Sequence, residues 1–274
     1  MVNLNFFRYA IACDCMYFNM WVIPGHYCLH ATPPTPCPEG TFNNETGLAA
    51  ADECTDCSVG MYCMGLGNIV PDGNCVAGQY CYRGARSSVP DANNAQYPDN
   101  GPCRSGHYCP EGIAYPVACP AGSWRNETAG ESVDDCSPCK GGHYCEVAGL
   151  SYPTGLCAQG YYCPGEEFID TATPSNFTCT VGHYCEEGSD TPTPCPPGQY
   201  TNQRGQHQCG LCPASYYCLG TTDPDPIICP PSYYCPSGTQ NPIPCPNGTY
   251  TYDNETGLAQ EDECRPCIAG SFCR

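Results

Sequence analysis

The sequence predicts a small disulfide-rich fold: tandem cysteine-rich modules with short β-hairpins and turns, little helix, and an elongated rod without a single core. The 274 residues include 29 Cys, 30 Gly and 30 Pro, and the cysteines recur in a fixed pattern. Leu, Ile, Val and Phe together number 35, about 13% of the chain, which is below the roughly 20% that folding by apolar burial needs. Because disulfides can replace a core as the source of stability, large single-core enzyme folds are disfavoured.

Cysteine usage and glycosylation motifs both indicate an oxidising compartment. Disulfides persist outside the cell or in the secretory lumen, where the thiols are not kept reduced. The chain also contains five Asn-x-Ser/Thr motifs, which accept N-linked glycans in secreted proteins. The glycosylation candidates are Asn44, Asn126, Asn176, Asn247 and Asn254. We therefore expect an extracellular or cell-surface glycoprotein that reaches its location through the secretory pathway.

Charge and hydropathy narrow the class of partner. The formal net charge is −19 and Lys140 is the single lysine, which excludes nucleic acid and electrostatic binding to anionic lipid. Cys, Pro or a charge interrupts every apolar stretch before the roughly 18 residues of a membrane helix. Arg8 and Asp14 interrupt the apolar N-terminus, so no signal peptide is recognised. We expect a fragment of a longer secreted or membrane-anchored protein, with an unidentified extracellular protein or matrix partner.

A short internal repeat organises the cysteines. Nine segments share the form Cys-x5-Cys, and a tenth copy has Val22 at the first Cys position. The nine are Cys57–Cys63, Cys75–Cys81, Cys103–Cys109, Cys139–Cys145, Cys157–Cys163, Cys179–Cys185, Cys212–Cys218, Cys229–Cys235 and Cys267–Cys273. Four longer loops begin with Cys-Pro-x-Gly and end at a Cys-x-x-Cys pair. They start at Cys37, Cys119, Cys195 and Cys245, and their pairs are Cys54/Cys57, Cys136/Cys139, Cys209/Cys212 and Cys264/Cys267.

Together these patterns define four composite modules. Loop lengths vary while the cysteine spacing does not, as expected when disulfides define a module and the loops only connect. The expected division is 1–21 outside the array, module 1 at 22–63, a short repeat and linker at 64–102, module 2 at 103–145, a second short repeat and linker at 146–178, module 3 at 179–218, a linker at 219–228, and module 4 at 229–273.

The Cys-Pro-x-Gly-x-aromatic opening, the Cys-x-x-Cys pair and the Gly-x-Tyr-Cys ending resemble the ephrin-receptor-like cysteine-rich repeat. That repeat is related to the cysteine-rich modules of growth-factor receptors and tumour-necrosis-factor receptors. The resemblance covers about residues 22–273 and recurs four times. It implies tandem modules in an extracellular protein, acting as spacers or contact surfaces. It does not imply an ephrin receptor, since no kinase, ephrin-binding or fibronectin-type domain accompanies the repeats.

The Gly, Pro and aromatic residues of the repeat each have a physical role in a turn. Gly three residues after Cys adopts a positive φ at little steric cost, and Pro after Cys fixes the entry of the chain. The aromatic residue two positions after that Gly, such as Tyr62, starts a short extended stretch. We expect these aromatic side chains to pack against the disulfides in place of a core, rather than to form a ligand-binding ladder.

The sequence leaves the disulfide pairing open between two schemes. In the interlaced scheme, consecutive cysteines pair first to third and second to fourth, as in Cys57 with Cys75. In the local scheme each Cys-x5-Cys closes on itself, and each long loop closes from its first Cys to the first Cys of its Cys-x-x-Cys pair. Only Cys13, Cys15 and Cys28 then remain.

Both schemes predict a fault at the N-terminus. Val22 stands where a Cys is expected, so Cys28 or Cys37 is expected to lack a partner. The odd number of cysteines also requires at least one free thiol in a monomer. We therefore expect the segment before residue 22 to lie outside the native array.

Two metals fit residue types in the sequence. Zinc has ligand types at Cys136, Cys139, His143 and Cys145, but other copies of the repeat hold Met, Gln, Tyr or Ser at the His position. Calcium has carboxylates before three of the four Cys-x-x-Cys pairs, at Asp52/Glu53, Asp134/Asp135 and Glu261–Glu263, but no regular oxygen-ligand loop. We expect no metal, and interpret the acids as a solvated face.

Catalytic chemistry is also disfavoured. The Cys-x-x-Cys pairs lack the βαβ context of redox enzymes. No Ser/His/Asp motif, paired carboxylates or glycine-rich phosphate loop occurs, so no catalytic residue or cofactor is expected. Two functional classes remain: a structural spacer ectodomain, which we favour, and a ligand-binding or adhesion fragment that uses exposed loops such as 83–102, where Arg83 and Arg86 lie close together.

Overall fold

A computed structural model describes residues 22–29, 33–91, 100–220, 225–252, 255–268 and 270. The chain divides into two units. The first comprises Met1–Pro120, Trp124–Ser137 and Ala148–Tyr152, and the second comprises Ala121–Ser123, Pro138–Val147 and Pro153–Arg274. The predicted segment before residue 22 therefore lies outside the described residues, and the predicted elongated shape stays a prediction.

The first unit contains two-residue and three-residue strands that pair as antiparallel hairpins. Consecutive strands pair, from β1 with β2 to β9 with β10. The strands are β1 His26–Tyr27, β2 Thr35–Pro36, β3 Thr41–Phe42, β4 Thr55–Asp56, β5 Met61–Tyr62, β6 Gly73–Asn74, β7 Gln79–Cys81, β8 Asn100–Pro102, β9 His107–Tyr108 and β10 Val117–Ala118. Two 3₁₀ helices accompany them, η1 Ala51–Glu53 and η2 Val133–Asp135. Strands β11 Ser123–Trp124 and β12 Ser137–Pro138 each include residues of both units.

The second unit repeats the same hairpin. Its strands pair in order, from β13 with β14 to β23 with β24. They are β13 His143–Tyr144, β14 Gly155–Leu156, β15 His183–Tyr184, β16 Thr193–Pro194, β17 Gln199–Tyr200, β18 Gly210–Leu211, β19 Tyr216–Tyr217, β20 Ile227–Ile228, β21 Tyr233–Tyr234, β22 Ile243–Pro244, β23 Thr249–Tyr250 and β24 Arg265–Pro266. Its 3₁₀ helices are η3 Ser175–Phe177 and η4 Glu261–Glu263.

Each hairpin begins with a seven-residue segment, which we call the cysteine turn and which contains the first strand, as Cys57–Cys63 contains β5. In the turn from Cys57 to Cys63, Gly60 has a φ of 76°. The Met61 N–H donates to the Ser58 carbonyl oxygen at 3.0 Å. This is the hydrogen bond of a β-turn whose third residue has a positive φ, which glycine tolerates best. The long loops start with the same turn, as at Cys37 with Gly40, so the two cysteine patterns share one shorter repeat. The composite module boundaries stay a prediction.

The buried interior of both units consists mainly of half-cystines. Among the described residues, sixteen of the cysteines have a relative exposure of 0%, and the buried aliphatic residues are Val22, Leu48, Ala85, Ile169 and Leu258. The buried residues form small separate clusters, each centred on one disulfide. The predicted class of disulfide-rich hairpin modules with little helix is thus confirmed.

The disulfides follow the local scheme. Eight Cys-x5-Cys segments close on themselves and four bridges close the long loops. The loop bridges are Cys37–Cys54, Cys119–Cys136, Cys195–Cys209 and Cys245–Cys264. Cys267 is also disulfide-bonded, and Cys273 lies outside the described residues.

The expected fault at the N-terminus is not observed. Cys37 pairs with Cys54, and Cys28 is disulfide-bonded too. The expectation was wrong because it assumed that a turn without its first Cys must leave its second Cys, or the next Cys, without a partner. Val22 fills the position of the missing Cys as a buried side chain.

Candidate functional site

Backbone hydrogen bonds join each cysteine turn to the next one. The Gly60 N–H donates to the Cys81 carbonyl oxygen at 2.7 Å, and the Cys75 N–H donates to the Gly60 carbonyl oxygen at 2.9 Å. The glycine of one turn therefore uses both of its backbone polar groups on the following turn. Since buried backbone groups must be paired, this reciprocal contact sets the position of one turn on its successor.

The loop after each turn returns to the preceding turn. The Gly84 N–H donates to the Cys57 carbonyl oxygen at 3.1 Å, and the Cys63 N–H donates to the Ala85 carbonyl oxygen at 2.9 Å. Tyr62 and Ala85 form the accompanying parallel bridge. The loop that follows the Cys75 turn thus covers both cysteines of the Cys57 turn.

Contacts also reach two turns along the chain. A Cβ on Gly60 would collide with the carbonyl oxygen of Gly112, which follows the turn that begins at Cys103. In the second unit, a Cβ on Gly142 would meet the carbonyl oxygen of Gly188 in the same way. Both glycines have a positive φ. Their lack of a side chain is therefore needed twice, for the turn and for the close approach of another loop.

The aromatic residue of one turn packs on the disulfide of the next. Tyr62 packs against the cluster of Cys75, Cys81 and Ala85, and Tyr27 packs against the Cys37–Cys54 bridge. In the second unit Tyr144 packs against Cys157 and Cys163. The prediction that these aromatic side chains replace a core is confirmed at these three positions, so they are not a free binding ladder.

The acidic residues before the Cys-x-x-Cys pairs bind their own backbone. The Glu53 and Glu263 carboxylates accept hydrogen bonds from the N–H groups of Ala49 and Ala259, each at 2.5 Å. Asp135 occupies the equivalent place and accepts from the N–H of Glu131 at 2.6 Å. The Asp135 and Glu263 carboxylates belong to capping boxes of η2 and η4, and Glu53 bonds the backbone just before η1, roles that the interpretation as a solvated face had missed. Repetition of an acid directly before the Cys was the available signal.

Asp135 has the one electrostatic shift that stands out among the described residues. Hydrogen bonds from the backbone N–H groups of Glu131 and Ser132 hold the pKa of this carboxyl below its usual value. The Arg125 guanidinium lowers the pKa further, from 4.0 Å, while burial opposes the shift. Arg125 also donates to the Asp135 carbonyl oxygen at 2.8 Å. This pair therefore fixes the Asn126 loop against η2.

The remaining metal and redox candidates have structural partners. The four Cys-x-x-Cys pairs are not bonded internally, because the first Cys of each pair closes the long loop. His143 interacts through Nδ1 with the Gly141 carbonyl oxygen at 3.0 Å, and Cys136, Cys139 and Cys145 are in disulfides. Among the described residues, no group of three or more His, Cys, Asp or Glu side chains is arranged to hold a metal ion.

The glycosylation candidates that the structure describes lie at the surface. Asn44, Asn126, Asn176 and Asn247 are all exposed, and Asn254 lies outside the described residues. Asn44 and Asn126 occupy the same place, seven residues after the Cys that opens a long loop. In contrast, the neighbouring Asn43 is buried and bonds the Glu45 backbone. Each of the four acceptors is thus accessible to a glycosylating enzyme.

A cleft in the first unit differs from the repeat. It is lined by Tyr80, Tyr82, Arg104, Tyr115 and Pro116 and encloses about 370 Å³. Tyr80 lies in β7, whereas Tyr82 and Tyr115 stand outside the aromatic positions of the cysteine turns. Their ring centroids are 5.1 Å apart with the planes tilted by 47°. This is a tilted aromatic pair at normal contact distance.

Asn100 fixes the backbone at Tyr82 and Arg83, next to this cleft. The buried Asn100 side chain accepts from the Tyr82 N–H at 2.7 Å and donates to the Arg83 carbonyl oxygen at 2.8 Å. The Arg83 guanidinium lies 5.6 Å from the centroid of the Tyr82 ring and 4.0 Å from an Asp56 carboxylate oxygen. Arg83 and Asn100, both in the predicted exposed loop 83–102, lie beside Tyr82, and residues 92–99 of that loop lie outside the described part. Tyr82 and Tyr115 lie outside the aromatic positions of the repeat. This departure from the pattern was visible in the sequence, and the sequence analysis did not use it.

Comparison with known proteins gives a partial match. No family model matches the chain. The chain is similar to a protein of Arabidopsis thaliana described as "Putative white-brown complex homolog protein 30", with 34% identity over 111 residues. The match covers 34% of this chain and 9% of that relative, so the chain spans less than a tenth of the relative's length. Within the described residues, no helix combines the length and apolar character that a bilayer crossing requires.

Proposed function

We propose that the chain is a non-enzymatic structural spacer, a repeat region of a larger secreted or cell-surface glycoprotein. The observation that carries this proposal is the interlocking of the cysteine turns: the glycine of each turn bonds the next turn through both backbone groups, as Gly60 does with Cys75 and Cys81. A chain built by one repeated contact with its neighbours lengthens by adding repeats without a new fold.

Three further features support a spacer. The described cysteines are consumed in disulfides, which suits an oxidising location. The exposed Asn-x-Ser/Thr motifs suit a glycosylated surface. The third is the resemblance to ephrin-receptor-like repeats, because such repeats belong to extracellular proteins.

The spacer proposal is tested by removing one repeat from the full chain. Deletion of residues 157–178 removes one turn, its disulfide and its loop, and leaves the preceding hairpin joined to the turn that begins at Cys179. We expect the secreted variant to remain oxidised and monomeric, with a smaller maximum dimension in small-angle X-ray scattering.

The matched control is the double variant Cys157→Ser/Cys163→Ser, which keeps the length of the chain and removes one bridge. It should keep the maximum dimension of the parent. Free thiols or a broad size distribution in the deletion variant would show that the repeats are not interchangeable, and the spacer proposal would fail.

A second candidate function, ligand binding by an ectodomain, is favoured by one observation. Two of the tyrosines that line the cleft with Arg104, Tyr82 and Tyr115, stand outside the aromatic positions of the repeat. A pure spacer needs no such cleft.

A further inference from the structure

We propose that the tyrosine–arginine cleft, formed by Tyr80, Tyr82, Arg104, Tyr115 and Pro116, binds an acidic saccharide, a sugar ring that carries a carboxylate. The cleft lies within the first unit, and its volume of about 370 Å³ falls in the usual range for small-ligand sites. This inference goes beyond the spacer function, since the same repeats can separate domains with or without a ligand on their surface.

Two of the three tyrosines of the cleft, Tyr82 and Tyr115, stand outside the aromatic position of the cysteine turns. Tyr115 is 61% exposed and follows the repeat that begins at Cys103, outside the turn position that packs on a disulfide. Tyr82 packs against Tyr115 rather than against a buried cluster. A pair of tyrosines that lines a cleft, with Tyr115 exposed and Tyr82 half-buried, fits a ligand with one apolar face, because Tyr combines an apolar ring with a polar hydroxyl.

The charge of the cleft is opposite to that of the whole chain. Among the described residues that line it, Arg104 is the one charged side chain, whereas the formal net charge of the chain is −19. Among the described residues, no carboxylate lies within ion-pair distance of Arg104. Its contact at 3.2 Å is with His107 Nε2. The Arg104 guanidinium is therefore available to a ligand carboxylate, which it binds in a two-pronged geometry.

The tyrosine rings and the Arg104 guanidinium together indicate which class of ligand fits the cleft. A pyranose ring presents C–H groups on one face, which suit the negative face of a tyrosine ring, and hydroxyls at its edge, which suit the tyrosine hydroxyls. The carboxylate accounts for Arg104. A polyanion such as nucleic acid would meet the acidic surface of the rest of the chain and is disfavoured.

Hydrogen bonds fix the backbone of the two cleft residues Tyr80 and Tyr82. Asn100 bonds both the Tyr82 N–H and the Arg83 carbonyl oxygen, and β7 pairs with β8 next to it, Tyr80 opposite Gly101. A site on a fixed backbone loses little conformational freedom when it binds. Weak binding of a short saccharide is therefore expected to be measurable without rearrangement of the unit.

The test is calorimetric titration of the full oxidised chain with a trimer of galacturonic acid. We expect saturable binding, weakened about tenfold or more by Arg104→Gln, since a bond to a charged group is worth about 1.5–3 kcal/mol. The same loss is expected when the carboxylates of the trimer are methyl-esterified. Tyr115→Ser should weaken binding as well.

Matched controls use exposed residues away from the cleft. Arg204→Gln and Tyr152→Ser change an exposed arginine and a tyrosine of 71% exposure, and both should leave the affinity unchanged. An unchanged count of free thiols shows that each variant is folded. The proposal is overturned by absence of saturable binding, by equal binding of the methyl-esterified trimer, by an equal loss with Arg204→Gln, or by a cleft that binds a proline-rich peptide and not the trimer.

Discussion

Two cysteine turns of the first unit share a backbone although only one of them closes with its own disulfide. In the turn from Cys57 to Cys63, the bridge spans the turn. In the turn from Val22 to Cys28, a buried valine replaces the first cysteine. Gly25 and Gly60 nevertheless have φ values of 78° and 76°.

The hydrogen bonds of the two turns also correspond. The glycine N–H of the Val22 turn donates to the Asn43 carbonyl oxygen at 2.8 Å and its carbonyl accepts from the Cys37 N–H at 2.8 Å, as Gly60 does with Cys81 and Cys75. The Gly47 N–H donates to the Val22 carbonyl oxygen, as that of Gly84 does to Cys57. The backbone contacts therefore determine the shape of the turn. The bridge adds stability, because a cross-link restricts the unfolded chain.

The largest expected effect breaks the backbone contact that both turns share. Gly60→Ala places a Cβ in a left-handed conformation and against the Gly112 carbonyl oxygen. We expect a loss of about 2–5 kcal/mol in the stability of this region, from strain and overpacking together. Hydrogen–deuterium exchange by mass spectrometry measures it as faster exchange across residues 57–85.

Gly65→Ala is the matched control for this variant. Gly65 has a φ of 78°, close to that of Gly60, but nothing lies within 4 Å of the Cβ position. It should cost only the conformational strain, about 1–2 kcal/mol. Equal effects of the two variants would show that the contact with Gly112 has no role.

The comparison also explains how much the sequence predicts. The spacing of Cys, Gly and aromatic residues predicts the turn, the hairpin and the packing of Tyr62, because each depends on the same repeat or on the one that directly follows it. The choice between the two disulfide schemes depends on which loop lies over Cys57, and Gly112 is 52 positions from Gly60. Contacts of that separation follow from the stacking of repeats, which local patterns do not encode. The cleft combines Tyr82 and Tyr115 in the same way.

Removing disulfides is expected to have the next largest effect on stability. It tests whether the bridges stabilise the turns without determining their backbone conformation. Cys57→Val/Cys63→Ala reproduces the valine of the N-terminal turn and should cost about 2 kcal/mol, while Cys37→Ser/Cys54→Ser should cost about 3 kcal/mol because its loop is longer. The sequence separations are 6 and 17 residues. Local stability is measured by pulse proteolysis in urea.

Both double variants should keep the turn backbone. Chemical shifts of Gly60 and Gly25 amides in the respective variants should stay close to those of the parent. Loss of the glycine amide protection in the Cys57→Val/Cys63→Ala variant would contradict the view that the backbone sets the shape.

A smaller, stabilising effect is expected where serine replaces the turn glycine. Ser215 and Ser232 have φ values of 76° and 69°, and the Ser215 N–H keeps the repeat's bond, to the Cys235 carbonyl oxygen at 2.9 Å. Ser215→Gly should stabilise the turn by about 0.5–1 kcal/mol, since relief of left-handed strain exceeds the added chain entropy. Ser58→Gly, at an exposed position without a positive φ, should instead destabilise slightly. Urea midpoints of the local transition check both.

The smallest expected effect is a response to low pH. It distinguishes the long loop that contains Asp135 from the short cysteine turns. The pKa of Asp135 is lowered by backbone N–H bonds from Glu131 and Ser132 and by Arg125. A carboxyl with a lower pKa in the folded state stabilises it fully above its unfolded value, near 3.8, and this contribution disappears as the pH falls through the folded pKa. The Asp135 side chain is 38% exposed, so screening by solvent keeps the effect small.

Amide exchange of Glu131 should accelerate as the pH falls below about 4, after correction for intrinsic rates, while that of Gly60 does not. Asp135→Asn should abolish this pH step, and Asp134→Asn should preserve it; a step that survives Asp135→Asn would assign the acid response to another carboxyl.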